Sequence, residues 1–216
     1  MDDREGLDIV LIQDRMQAFL PPIDRRHTER VAELCEAFLA ENPSVPVDGV
    51  LLLEAAWIHD VAKTAAGKKH AEPKYVKDAL REAYPELVAS SADTEEFYRL
   101  LVIVSAHKGE FAPPCCALES AVLRMCDKLD KYDKAKDQYL TAKLAHLRTK
   151  DLYNKKNRRV WAKDECDKAE RKLLREPAST VESCAENLYR IESSGLLTAE
   201  EFHAVERFTL EKLRRL

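Results

Sequence analysis

The run VLLLEAAWI at Val50–Ile58 constrains this chain more than any other segment. It is apolar on every side of a helix, and such a helix has to be buried on every side. Asp48 offers an N-terminal cap, Gly67 a stop, and His59-Asp60 fall between them. The sequence therefore predicts a central buried helix running on to Gly67 that carries a histidine and a carboxylate into the core. An unpaired aspartate there would cost several kcal/mol or be driven to take up a proton, a penalty that imidazoles and a divalent cation remove.

The surrounding pattern is helical throughout, and five glycines in 216 residues argue against a β-rich fold. Pro21-Pro22 breaks the chain, and Asp24 reads as the cap of a helix to Glu41 with Val31, Leu34 and Phe38 as its stripe and His27 one turn earlier on the same face. His70 falls in or just after the turn at Gly67. Pro73 fits the first turn of a helix with Val76, Ala79, Leu80 and Ala83 inside. Asp93 or Thr94 caps the next, whose stripe Phe97, Leu100, Leu101 and Val104 leads at the same spacing to His107, ahead of Gly109. From Ala117 a helix with Leu118, Val122, Met125 and Leu129 inside carries Asp127 at the flank of its stripe, where periodicity does not place the carboxylate.

From about Lys131 the chain stays helical in composition and becomes more charged, with apolar anchors at Tyr139, Leu144, Leu147, Tyr153, Trp161, Leu173 and Leu174. Thr198 and Glu201 form a capping box for a last helix. The expected organisation is a helical core over residues 1–135 and a helical extension over 136–216 packed on it. Lys143 to Lys163 holds eight Lys/Arg against one acid, Asp151, in a chain of net charge −4. With Tyr153 and Trp161 nearby, that strip suits a polyphosphate or nucleic-acid backbone, while a solvated face is the commoner meaning of a charge run.

No stretch exceeds eight residues without a charge, so no transmembrane span is expected, and the acidic start MDDREGLDIV lacks the features of a secretory leader. The expected location is cytoplasmic, with the six cysteines reduced, since none form a C-x-x-C. Phosphate-loop, dinucleotide and zincin motifs do not occur.

Four of the six histidines fall between residues 27 and 107, in the order His27, His59-Asp60, His70, His107, then Asp127. The local wording is RRHTERVAEL around His27, AAWIHDVAK around the doublet and LRMCDKLD around Asp127. This order on helices resembles the HD superfamily of metal-dependent phosphohydrolases over about residues 24–135. Within it, HAEP at His70, VSAHKG at His107 and LESAVLRMCD ending at Asp127 look most like bacterial HD proteins that split diadenosine tetraphosphate symmetrically.

The resemblance implies an all-α, HD-domain-like helical bundle with additional C-terminal helices. It also implies that His27, His59, Asp60 and Asp127 hold one divalent metal, and that Asp60 bridges to a second held by His70 and His107. Imidazole and carboxylate ligands suit iron or manganese. If His70 or His107 does not ligate, the site holds one metal and those histidines are left to bind phosphate or protonate the leaving group.

Lys63, one turn after His59-Asp60, is read as a catalytic or phosphate-binding cation, and Lys108 and Arg30 as further substrate contacts. A solvated lysine is an equal reading of Lys63 and Lys108, and Arg30 could pair with an acid instead. Asp130, one turn beyond Asp127, is read as orienting a ligand histidine. The function expected is hydrolysis of a nucleotide, dinucleoside polyphosphate or other small phosphate compound by metal-activated water. The alternatives are a non-catalytic metal- or nucleotide-sensing or RNA-binding regulator, and an HD-type diiron oxygenase.

Overall fold

In a computed structural model, residues 12, 14–16, 19–85, 94–108, 112–150 and 156–215 are described, and every regular element among them is helical. The principal helices are α1 (Pro22–Glu41), α2 (Gly49–Ile58), α3 (Lys63–Ala66), α4 (Pro73–Ala83) and α5 (Glu95–Ala106). They are followed by α6 (Ala117–Leu129), α7 (Lys131–Lys150), α8 (Lys156–Ser194) and α9 (Ala199–Leu213). No helix of the described residues is long and apolar enough to cross a membrane.

Two helices share the centre. α2 packs against α1, α5 and α6, with Leu51, Leu52, Ala55, Ala56 and Ile58 buried. Its burial is less complete than its composition predicts, because Val50 in the first turn is exposed and Leu53 and Trp57 are only half-buried. The larger hub is α6, which touches α1, α2, α5, α7, α8 and α9 and buries every residue except Lys128. Its polar residues hide it in the sequence, and two of them bond backbone groups inside the core. Glu119 accepts the Asp48 backbone N–H at 2.9 Å, and Arg124 donates through Nε to the Ala106 carbonyl at 3.1 Å.

Several helix ends follow from local chemistry. Asp48 caps α2 by accepting from Leu51 N at 3.2 Å, and Thr94 caps α5 by accepting from Phe97 N at 3.2 Å. Asp24 is not a cap. The helix begins two residues earlier at Pro22, whose missing N–H and fixed φ suit the first position, and the Asp24 carboxylate is turned instead to Lys63 and Lys134. α2 also stops short of Gly67. It ends at Ile58, and residues 59–62 turn through 3-10-type bonds, Val61 N to Ile58 O and Lys63 N to Asp60 O, both 2.9 Å. The residue that terminates the following short α3 is Gly67, with φ +54°.

α7 runs unbroken across residue 135, and α8 packs along it and onto α6. The tail is held to the rest through Cys184, Leu188 and Ile191, which join the main core cluster. Leu144, Leu147 and Leu174, expected as anchors, are exposed. Tyr153 and the side chains of the basic strip between 148 and 162, Trp161 included, lie outside the described residues, as does Gly109.

The last helix closes over α1 and α6. Phe208 meets Phe38 edge to face at 5.4 Å between ring centroids, an arrangement that adds roughly 1 kcal/mol to the area buried. Its start is the predicted capping box: Thr198 accepts from Glu201 N at 3.3 Å and Glu201 accepts from Thr198 N at 2.7 Å. Thr198→Ala is expected to cost about 1 kcal/mol. Urea unfolding should show a lowered midpoint at unchanged slope, and an unaltered midpoint would mean that the α9 end contributes no measurable stability.

Candidate metal centre

Three histidines stand at helix ends and are oriented by one repeated device. His59 follows α2, His70 follows a 3-10 turn at Gly67–Lys69, and His107 follows α5. In each, the ring Nδ1 lies on the carbonyl three residues earlier: Ala56 at 2.7 Å, Gly67 at 2.5 Å and Val104. A carbonyl only accepts, so Nδ1 carries the proton and Nε2 is left as the acceptor. His27, in α1, is held at Nδ1 by Asp130 Oδ2 at 2.6 Å. All four Nε2 atoms then turn toward Asp60 and Asp127.

The distances define a compact cluster. His27 Nε2 lies 3.4 Å from His59 Nε2, 3.2 Å from Asp127 Oδ1 and 3.5 Å from Asp60 Oδ2. His59 Nε2 is 3.7 Å from Asp60 Oδ2, and His70 Nε2 is 3.0 Å from Asp60 Oδ1. Two triads could each hold a metal ion, His27-His59-Asp60 and Asp60-His70-His107, with ligand atoms all within 4.8 Å of one another in each. Asp60 belongs to both, and Asp127 joins the first through His27. The turn that ends α2 makes this possible: side by side on a continuing helix, His59 and Asp60 would point about 100° apart.

Burial sets the electrostatics. His59, His70 and His107 are at most 2% exposed and Asp60 1%. Desolvation pushes the His59 pKa down to about 4 and, with His59 beside it, the His107 pKa down to about 3, so both rings are neutral. Burial works against the charge of Asp60, but the Lys63 ammonium bonded to it helps to hold the carboxyl well below the usual range. Burial likewise opposes the charge of Asp127, and Lys128 and His27 overcome it.

The donor set fits a divalent cation. The buried Nε2 of His107 has no hydrogen-bond partner, and the Nε2 atoms of His27 and His59 stand only 3.4 Å apart. Imidazole nitrogen and carboxylate oxygen without thiolate is the chemistry of first-row divalent ions.

No family model, curated protein or solved structure matches the chain.

The cations predicted from sequence take different places. Lys63 Nζ bonds the Asp60 carboxylate and lies 3.0 Å from Asp24 Oδ1, at the edge of the cluster. Lys108 Nζ reaches to 2.8 Å from His70 Nε2. Arg30 lies behind the cluster, where it clamps Asp130 through two bonds of 2.5 and 3.1 Å and reaches Asp137 at 2.8 Å, so the acid pairing is the one the structure presents. Sequence reasoning missed Lys128, paired with Asp127, and Lys134, whose Nζ is 2.9 Å from Asp24 and 3.8 Å from Asp60. A signal for Lys134 existed, since it lies one turn beyond Asp130. None existed for Asp24, more than a hundred residues away in the chain from Lys134.

The Arg30-Asp130-His27 chain fixes one imidazole from outside, as carboxylate partners do in metal sites. Asp130→Asn is expected to weaken metal binding roughly 10- to 100-fold without changing the helix content. Calorimetric titration with Mn(II) beside a circular dichroism spectrum checks it, and an unchanged affinity would remove Asp130 from the site.

Proposed function

We propose that this chain is a metal-dependent phosphohydrolase with an HD-type core, acting on a nucleotide or another small phosphate compound. One observation carries the reading: four imidazole Nε2 atoms and two carboxylates converge in a buried cluster, and lysines 63, 108, 128 and 134 stand against it. The order of His27, His59-Asp60, His70, His107 and Asp127 along the chain, which resembles that superfamily, supports it as well.

In this reading His27, His59, Asp60 and Asp127 would hold one divalent ion, iron or manganese, and Asp60, His70 and His107 a second. Such ions supply Lewis acidity at phosphorus and make water acidic enough to attack at neutral pH. The protein's own groups do the rest. Lys63, Lys108 and Lys134 offer ammonium donors to phosphoryl oxygens, and Lys63 can exchange its Asp24 partner for a phosphate while it keeps Asp60. Arg30 and Asp130 keep the His27 ring from rotating. Burial keeps bulk water from Asp60 and from the three helix-end histidines, which strengthens every charge interaction at the phosphoryl group.

The test is phosphate release by protein loaded with Mn(II), or with Fe(II) under argon, from dinucleoside polyphosphates, nucleoside mono- and triphosphates and cyclic nucleotides. Selective hydrolysis of one class is expected. Metal-loaded protein that cleaves none of them would end the hydrolase reading, and oxygen uptake dependent on Fe(II) would replace it with an oxygenase.

A further inference from the structure

The second triad contains a cation of the chain's own. His70 donates through Nδ1 to Gly67, so Nε2 carries its single lone pair, 3.0 Å from Asp60 Oδ1 and 2.8 Å from Lys108 Nζ. The Lys108 ammonium donates to that lone pair, and its charge relieves two acceptors that otherwise face each other. Lys108 follows His107 directly, and the buried Nε2 of His107 has no hydrogen-bond partner of its own. Lys108 is an exposed residue, so its stem can swing outward.

We propose that the Lys108 ammonium is an internal counter-cation of the triad Asp60-His70-His107, and that it competes with a divalent ion for His70. The two triads then fill in order, His27-His59-Asp60 first and the Lys108 side only when the lysine leaves. This rests on the metal-binding reading of the site. The asymmetry between the triads comes from the acceptors. Lys63 bonds the first triad at a carboxylate oxygen, which has lone pairs enough for an ammonium and a metal together. An imidazole Nε2 has one, so at His70 a lysine and a metal exclude each other. A dication at the second triad would also stand against an ammonium only a few ångströms away, in a site shielded from water.

The experiment is Mn(II) titration into metal-stripped full-length protein by calorimetry, with metal content by mass spectrometry and low-temperature EPR for coupled Mn(II) pairs. Wild type should bind a first ion at least tenfold more tightly than a second. Lys108→Met should tighten the second ion about tenfold or more, leave the first unchanged and bring the coupled signal to lower Mn(II) concentration. Lys108→Ala should do the same, and circular dichroism establishes that both variants are folded. Lys128→Met, which removes a nearby charge that bonds only a carboxylate, should leave the gap in place. Equal affinities in wild type, an unmoved second constant in both Lys108 variants, or equal tightening in Lys128→Met would each overturn the proposal. Two-step binding that ignores Lys108 would overturn it alone, whereas failure to bind any metal would overturn the function reading with it.

Discussion

Asp60→Ala is expected to lower phosphate release by at least ~10³-fold, about 4 kcal/mol of transition-state stabilisation, while the helix content stays unchanged. The size of the effect follows from the position of one carboxylate in two triads: Oδ2 faces His27 and His59, and Oδ1 faces His70. No other residue of the cluster is shared in this way. The loss also sets Lys63 free of its closest partner, leaving an ammonium beside neutral imidazoles where a divalent ion would have to enter. Metal content should therefore fall together with turnover. A variant that keeps its metals and most of its rate would show that the two triads are not a working unit.

The second large expectation concerns stability. The metal-stripped protein holds Asp60 and Asp127 carboxylates, neutral His59 and His107 rings, and two imidazole Nε2 atoms 3.4 Å apart in one buried volume. The unfolded chain assembles no comparable ligand set. An ion present at a thousand times its dissociation constant then stabilises the native state by about 4 kcal/mol. For a domain of this size that raises the thermal midpoint by roughly 8–16 °C. Scanning calorimetry with chelator and with saturating Mn(II) checks it. A midpoint that does not respond to Mn(II) would mean that the cluster is a self-sufficient polar core, held by its own lysines and hydrogen bonds.

The all-helical architecture was legible because apolar spacing, caps and prolines all point the same way. Asp48, Thr94 and Thr198 cap as their sequence context predicts. The inward placement of His27 and His107 was legible for the same reason, since each continues an apolar stripe. Asp127 was not, because a residue at the flank of a stripe is positioned by the helix that packs there, here α1 with His27. The burial of α6 is not legible because Glu119 and Arg124 read as surface residues, and only their tertiary partners, Asp48 N and the Ala106 carbonyl, reveal them as core. Asp24 illustrates the reverse error. A carboxylate after two prolines reads as a helix cap, while its contacts with Lys63 and Lys134 are set by residues 39 and 110 positions away. The extent of α2 was misjudged because helical propensity alone continues through His59-Asp60-Val61-Ala62. The turn at its end comes from tertiary context and is what lets two neighbouring side chains reach one centre.

The bond from each helix-end histidine to its own backbone has a consequence for how such a site assembles. His59, His70 and His107 each take their ring orientation from a carbonyl three residues upstream, so the information is contained in segments of four residues. Much of the rotational freedom of three imidazoles is thus surrendered when the local turns form, before distant parts of the chain meet. What long-range folding has left to supply is translation: it brings three finished helix ends, together with α1, to a common point.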